Sequence, residues 1–149
     1  MQTHTRQTSR RLHEEHQATL ALWTRVEASL LAAKPDAALM RSAAASLADE
    51  IERHFAFEEA QLFPRLAAAG EGDIAGLLSE EHETIRAAGR SFIAAVKDDP
   101  SQPGLKALGL ELAERLVSHV QKEEMSMLPA LDDLLDDETD EALCAGLLT

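Results

Sequence analysis

Tyrosine is absent from this 149-residue chain, tryptophan and cysteine occur once each, and aromatic residues make up only 3%. A single cysteine, Cys144, excludes an intrachain disulfide and a thiolate metal cluster, and it reads as a helix-packing thiol near the C-terminus. Without tyrosine there is no phenol to act as a radical or proton donor. Few aromatic and β-branched residues leave little to build sheet faces, while plentiful Ala, Leu, Glu and Arg favour helix. Positive charge is scarce too: 14 Lys and Arg against 27 Asp and Glu leave a net charge of −13. That balance argues against phosphate backbones and anionic membranes as partners. No apolar run approaches the ~18 residues of a membrane span, and MQTHTRQTSRRLHEEH lacks the apolar centre of a signal peptide. The expected location is a reduced cytoplasm.

The chain suits one domain spanning 1–149, long enough to bury a core. Hydrophobic residues make up 45% and recur at spacings of three and four, the helical period. Helix A is expected from about Ser9 to Ala33, with Leu12, Leu20, Trp23, Val26 and Leu30 on one side and Pro35 closing it. Asp36 can cap helix B, whose inward stripe reads Leu47, Ile51, His54, Glu58, Leu62. Asp73 is the expected cap of helix C, which carries Ile74, Leu78, His82, Ile85, Phe92 and Val96 before the turn KDDPSQPG. Helix D starts near Pro103 and points Leu112, Leu116, His119, Glu123 and Met127 inward. The acidic connection DDLLDDETDE then leads to an apolar tail that can form a fifth, short helix.

Helices B and D are copies. HFAFEEAQLFPRL (54–66) and HVQKEEMSMLPAL (119–131) share His, Glu, Glu, Pro and Leu at an offset of 65. LHEEH (12–16) matches LSEEH (78–82) at an offset of 66. The chain thus reads as two αα-hairpins of one design, which close naturally into an antiparallel up-down four-helix bundle. Pro64 and Pro129 sit in phase inside the helical pattern, where a missing N–H and a ring clash should end each helix or kink it. Ending is the simpler expectation.

His54 and Glu58 lie one turn apart on one helix face, as do His119 and Glu123. His16 and His82 interrupt the stripes of helices A and C in the same way. Six polar groups therefore occupy core positions, and an uncompensated carboxylate there costs several kcal/mol. A pair of metal ions answers all six together, with each carboxylate bridging, two imidazoles on each ion and a solvent-derived bridge between them. Imidazole and carboxylate donors with open positions suit non-haem iron, with manganese or zinc as substitutes. Ferritin-like bundles use Glu-x-x-His instead, the reverse order at a different spacing.

These residues resemble the hemerythrin-like, or HHE cation-binding, domains, with His in the first and third helices and His-x-x-x-Glu in the second and fourth. The likeness runs from about residue 10 to 135 and leaves 136–149 as a C-terminal extension. It implies two non-haem iron ions (Fe2+/Fe3+) with a bridging oxo or hydroxo group. The implied ligands are His16, His54, Glu58, His82, His119 and Glu123. Oxygen-carrying members have a further histidine one turn after the third-helix ligand; here that position is Arg86. They also space the last carboxylate five after its histidine, at Glu124, whereas the internal repeat favours Glu123. Two histidines per ion turn the expectation from oxygen storage to binding of, or response to, O2, NO or peroxide. Members that repair iron–sulfur clusters carry a cysteine-containing N-terminal segment not seen in this sequence. The alternatives are iron or metal buffering and a di-iron enzyme turning over peroxide, O2 or NO. A protein partner would have to relay any signal.

Around the six, His13 lies one turn before His16, where it can approach the site, and His4 is expected on a frayed terminus. Glu15, Glu59, Glu81 and Glu124 flank the ligands in register. They read first as a solvated helix edge and alternatively as partners that orient ligand imidazoles.

Overall fold

A computed structural model describes the backbone of residues 4–148 and the side chains of residues 4–147; residues 1–3 and 149 of the expected domain lie outside the described residues. Every regular element among the described residues is helical. Helix α1 spans Gln7–Leu31, α2 Ala37–Asp49, α3 Phe63–Ala68, α4 Gly72–Asp98, α5 Leu105–Lys122, α6 Leu128–Leu134 and α7 Asp137–Leu148. Two π-helical turns, Glu50–Phe55 and Glu58–Leu62, join α2 to α3 in one rod, and a third, Glu123–Met127, joins α5 to α6 in another. The result is a bundle of five helical rods. Helix α1 packs on α5, α4 packs on α2, α3 and α5, and α7 lies against α1. Among the described residues, no helix is long and apolar enough to cross a membrane.

Local chemistry accounts for most boundaries. Asp36 caps α2, its Oδ1 accepting the N–H groups of Ala38 at 3.0 Å and Leu39 at 3.2 Å. Helix α3 ends on Gly70 at φ 91°, with Glu71 N–H donating to Leu66 O and Gly70 N–H to Ala67 O. That pair of bonds needs a left-handed residue, which glycine supplies without strain. Asp73 does not cap α4 as expected: the cap position is Glu71, without a side-chain bond, and Asp73 falls in the first turn. There its charge still suits the helix dipole.

The two in-phase prolines do not end their helices. Phe63 N–H bonds back to Glu58 O, and Leu128 N–H to Glu123 O, each a step of five residues. A wider π turn just before the proline leaves room for its ring, and the missing N–H falls in the first turn of the resumed α-helix. Both rods therefore run on, to Ala68 and Leu134.

Helix α1 has no side-chain cap of its own. Asp140 of α7 supplies one, accepting from Gln7 N at 2.8 Å and Thr8 N at 2.9 Å. Asp132 Oδ1 accepts from Thr5 N and Arg6 N just before it. The expected C-terminal helix thus forms, and it secures the first rod.

The buried apolar residues fall into two clusters. One gathers Trp23, Val26, Leu47, Phe92 and Leu116 among others. The second gathers Leu12, Leu62, Leu78, Met127 and Leu143. In α1 the half-buried Leu20 yields its expected core place to buried Thr19. A layer of buried histidines and glutamates interrupts the apolar stripes between the clusters.

Candidate metal centre

His16 comes from α1, His54 and Glu58 from the α2–α3 rod, His82 from α4, and His119 and Glu123 from the α5–α6 rod. None of the six is more than 2% exposed. Their donor atoms form two groups, each closing within 4.8 Å: His16, His54, Glu58 and Glu123, and then Glu58, His82, His119 and Glu123. Both carboxylates belong to both groups. Glu58 lies 3.1 Å from Nε2 of His54 and 3.1 Å from Nε2 of His82. Glu123 lies 2.9 Å from Nε2 of His16 and 3.0 Å from Nε2 of His119.

The opposite nitrogen of every imidazole is also engaged. Nδ1 of His54 meets Glu15 at 3.1 Å and that of His82 meets Glu59 at 2.7 Å. Nδ1 of His119 meets Glu81 at 2.8 Å and that of His16 meets Glu124 at 2.6 Å. A carboxylate only accepts, so each Nδ1 donates to its outer glutamate and leaves Nε2 to face the interior, where an inner carboxylate favours a proton that a metal ion would have to displace. The four contacts make a closed cycle. Each rod's glutamate holds the histidine of the next: α1 to α2–α3, then to α4, to α5–α6 and back to α1. The solvated-edge reading of these glutamates gives way to the imidazole-orienting one.

Cations back the cycle from outside. Arg53 bonds Glu15 at 2.7 Å, Arg86 bonds Glu59 at 2.8 Å, and Lys122 pairs with Glu81. His13 takes the fourth place, 2.5 Å from Glu124, and so reaches the site only through that carboxylate. Arg86, at the position of the carriers' extra histidine, lies 5.8 Å over the Phe55 ring and turns its guanidinium to Glu59 and Glu83. His4 is not frayed: it is buried and faces Glu124 and Asp132.

Sequence reasoning missed Phe55 and Glu50. Phe55 stacks on His82 with centroids 3.8 Å apart and planes 3° from parallel. It follows His54 directly, as buried Val120 follows His119, and both residues of each pair are buried. Glu50, half-buried one turn before His54, approaches its Nδ1 at 3.5 Å.

Charge and hydrogen bonding decide what this layer can hold. Burial opposes the charged form of His16, but hydrogen bonds to Glu123 and Glu124 raise it to about 9. Burial likewise opposes His82, and Glu123 and Glu58 raise it to about 10. Burial also works against ionised Glu15, yet the bonds from His54 and Arg53 bring it down to about 2. Burial, with the neighbouring charges of Glu58 and Glu15, pushes the Glu50 carboxyl up.

A metal ion fits this donor set. Nε2 of His82 and His119, Oε1 of Glu58 and Oε2 of Glu123 are buried without a hydrogen-bond partner, although they approach one another closely. Orphaned buried polar atoms of this kind are costly, and cation coordination would satisfy all four together.

Residues 7–131 match the hemerythrin HHE cation binding domain. No curated protein and no solved structure matches the chain. The matched span includes every histidine-bearing rod and most of the chain, and the protein accordingly belongs to the hemerythrin family of HHE cation-binding domains.

Proposed function

We propose that this protein holds two non-haem iron ions in a carboxylate-bridged pair and binds or responds to O2, NO or peroxide there. The ligands in this reading are His16, His54, Glu58, His82, His119 and Glu123. The observation that carries it is the sharing of Glu58 and Glu123 between two otherwise separate pairs of histidines. One ion would use His16 and His54, the other His82 and His119. An iron pair would supply open coordination positions and Fe2+/Fe3+ redox chemistry for a small ligand.

The protein's own groups do the rest. The outer glutamates fix each imidazole so that Nε2 points inward and gains basicity. Phe55 presses flat on His82, and the apolar clusters on either side limit water. Burial of all six donors favours a retained centre over metal buffering, which needs exchangeable ions. A binding or sensing role is preferred to turnover because His13 and the outer glutamates are committed to holding ligands.

The same reading takes residues 1–149 as one HHE domain, an antiparallel up-down four-helix bundle of two αα-hairpins. Its core is about 10–135, and 136–149 form a C-terminal extension that works in the cytoplasm with the rest. The repeat at an offset of 65 supports it.

Metal analysis combined with optical titration of the anaerobic ferrous protein tests the function. Separate additions of O2, NO and peroxide should give a stable or reversible adduct; sustained turnover would instead mark an enzyme, and iron release a buffer. Glu58→Ala and Glu123→Ala should each lose at least one iron per chain. Wild-type stoichiometry in both variants would sink the shared-carboxylate assignment.

A further inference from the structure

The cycle around the centre is uneven. Three of its outer glutamates are backed by a fixed guanidinium or ammonium, from Arg53, Arg86 and Lys122. Glu124 has two histidines there instead. Imidazole is a metal ligand as readily as it is a cation.

We propose that His4, His13 and Glu124 form a third cation site that takes a divalent transition-metal ion such as Zn2+ or Fe2+. Their donor atoms lie within 4.8 Å of one another. His4 is buried, and its Nε2 has no hydrogen-bond partner although it lies 3.7 Å from Glu124 Oε1. Tetrahedral ligands at about 2.1 Å from a metal stand about 3.4 Å apart, so this pair needs almost no movement. His13 Nδ1, at 2.5 Å from the same oxygen, must withdraw by about 1 Å for that geometry. Its side chain is 38% exposed, so the shift is toward solvent and not into packed neighbours. The rings of His4 and His13 lie side by side, tilted at 49° with centroids 5.1 Å apart.

The support for His4 is also in place. Its Nδ1 faces Asp132 Oδ2 at 3.7 Å, while Asp132 Oδ1 accepts from Thr5 N and Arg6 N and pins the chain beside it. Two imidazoles and one carboxylate leave a fourth position to solvent, a donor set suited to zinc or ferrous iron. Glu124 joins this site to the inner layer, because its other oxygen holds His16. The third ion would supply the positive charge that Arg53, Arg86 and Lys122 supply elsewhere in the cycle.

The test is Zn2+ stoichiometry of the full chain, by equilibrium dialysis and metal analysis, in wild type, His4→Ala and His13→Lys. The lysine keeps a cation on Glu124 but removes the donor, and helical circular dichroism checks that each variant folds. Each variant should bind one Zn2+ fewer than wild type. The absolute counts speak separately to the inner pair: three falling to two if that pair binds, one falling to none if it does not. Equal stoichiometry in all three proteins would overturn the third site. Loss of more than one ion from His13→Lys would overturn it too, because His13 would then belong to the inner layer.

Discussion

If an outer glutamate acts by fixing a ligand imidazole, its removal should cost metal affinity far more than fold stability. Glu81 is the cleanest case. It lies 2.8 Å from Nδ1 of His119 and pairs with Lys122, and both residues line a groove of about 520 Å³ between α4 and α5. Glu81→Ala would let groove water reach Nδ1, so the imidazole is not left unsatisfied. The lost pair with Lys122 is partly exposed, with side chains 20% and 44% accessible, and is worth about 0–1 kcal/mol after screening. Loss of the ring's orientation should weaken the ion that shares His82 and His119 by about 10–100-fold, roughly 1.4–2.7 kcal/mol. Competition with a chromogenic chelator reads the two affinities, and urea unfolding of the metal-free protein reads stability. Glu81→Gln, which still offers Nδ1–H an acceptor, should recover part of the affinity. Unchanged affinity for both ions beside a stability loss of several kcal/mol would refute the orienting role and make Glu81 a structural strut.

Protons should compete with metal. His16 and His82, held to about 9 and about 10 without it, carry protons at pH 7.5 that loading must displace; a pH dye in weak buffer should record their release, and none would refute the prediction. Both values lie above the ordinary 6.5, so the stability these groups contribute is complete below about 6.5 and is lost as pH rises through about 9 to 10. Metal-free protein should accordingly be easier to unfold with urea at pH 10 than at pH 7; an equal or higher midpoint at pH 10 would count against it. Asp140→Ala removes the acceptor of Gln7 N–H and Thr8 N–H and should cost about 0.5–2 kcal/mol in urea unfolding; an unchanged midpoint would show that α1 needs no cap from α7.

The six inner residues were legible because burial leaves a mark on an amphipathic helix: a histidine or glutamate where the stripe calls for leucine, repeated at offsets of 65 and 66. The rods were legible for the same reason, and so was the cap at Asp36. The π turns were not. Periodicity registers which face a residue occupies, but not whether its N–H reaches back four residues or five, so the prolines looked like stops. Asp140 and His4 were hidden by distance, since their partners lie more than a hundred residues away along the chain.

The cycle of outer glutamates lies between these cases. Glu15 and Glu81 directly precede a buried histidine of the candidate centre, and Glu59 and Glu124 directly follow one of its buried glutamates. Neighbours one apart on a helix do not face each other, so none of the four could serve the ligand beside it. A glutamate one step off a buried stripe points sideways, toward the rod next door, and four such residues in register can satisfy four imidazoles only by each crossing to its neighbour. That much follows from helix geometry before any rod is placed. What geometry leaves open is the direction of travel, and contacts between the rods settle it: Glu15 reaches His54 and Glu124 reaches His16. The internal repeat therefore does more than duplicate a metal-binding motif. It gives each half one glutamate that acts on a histidine of the other, Glu59 on His82 and Glu124 on His16, so neither hairpin can orient its full donor set alone.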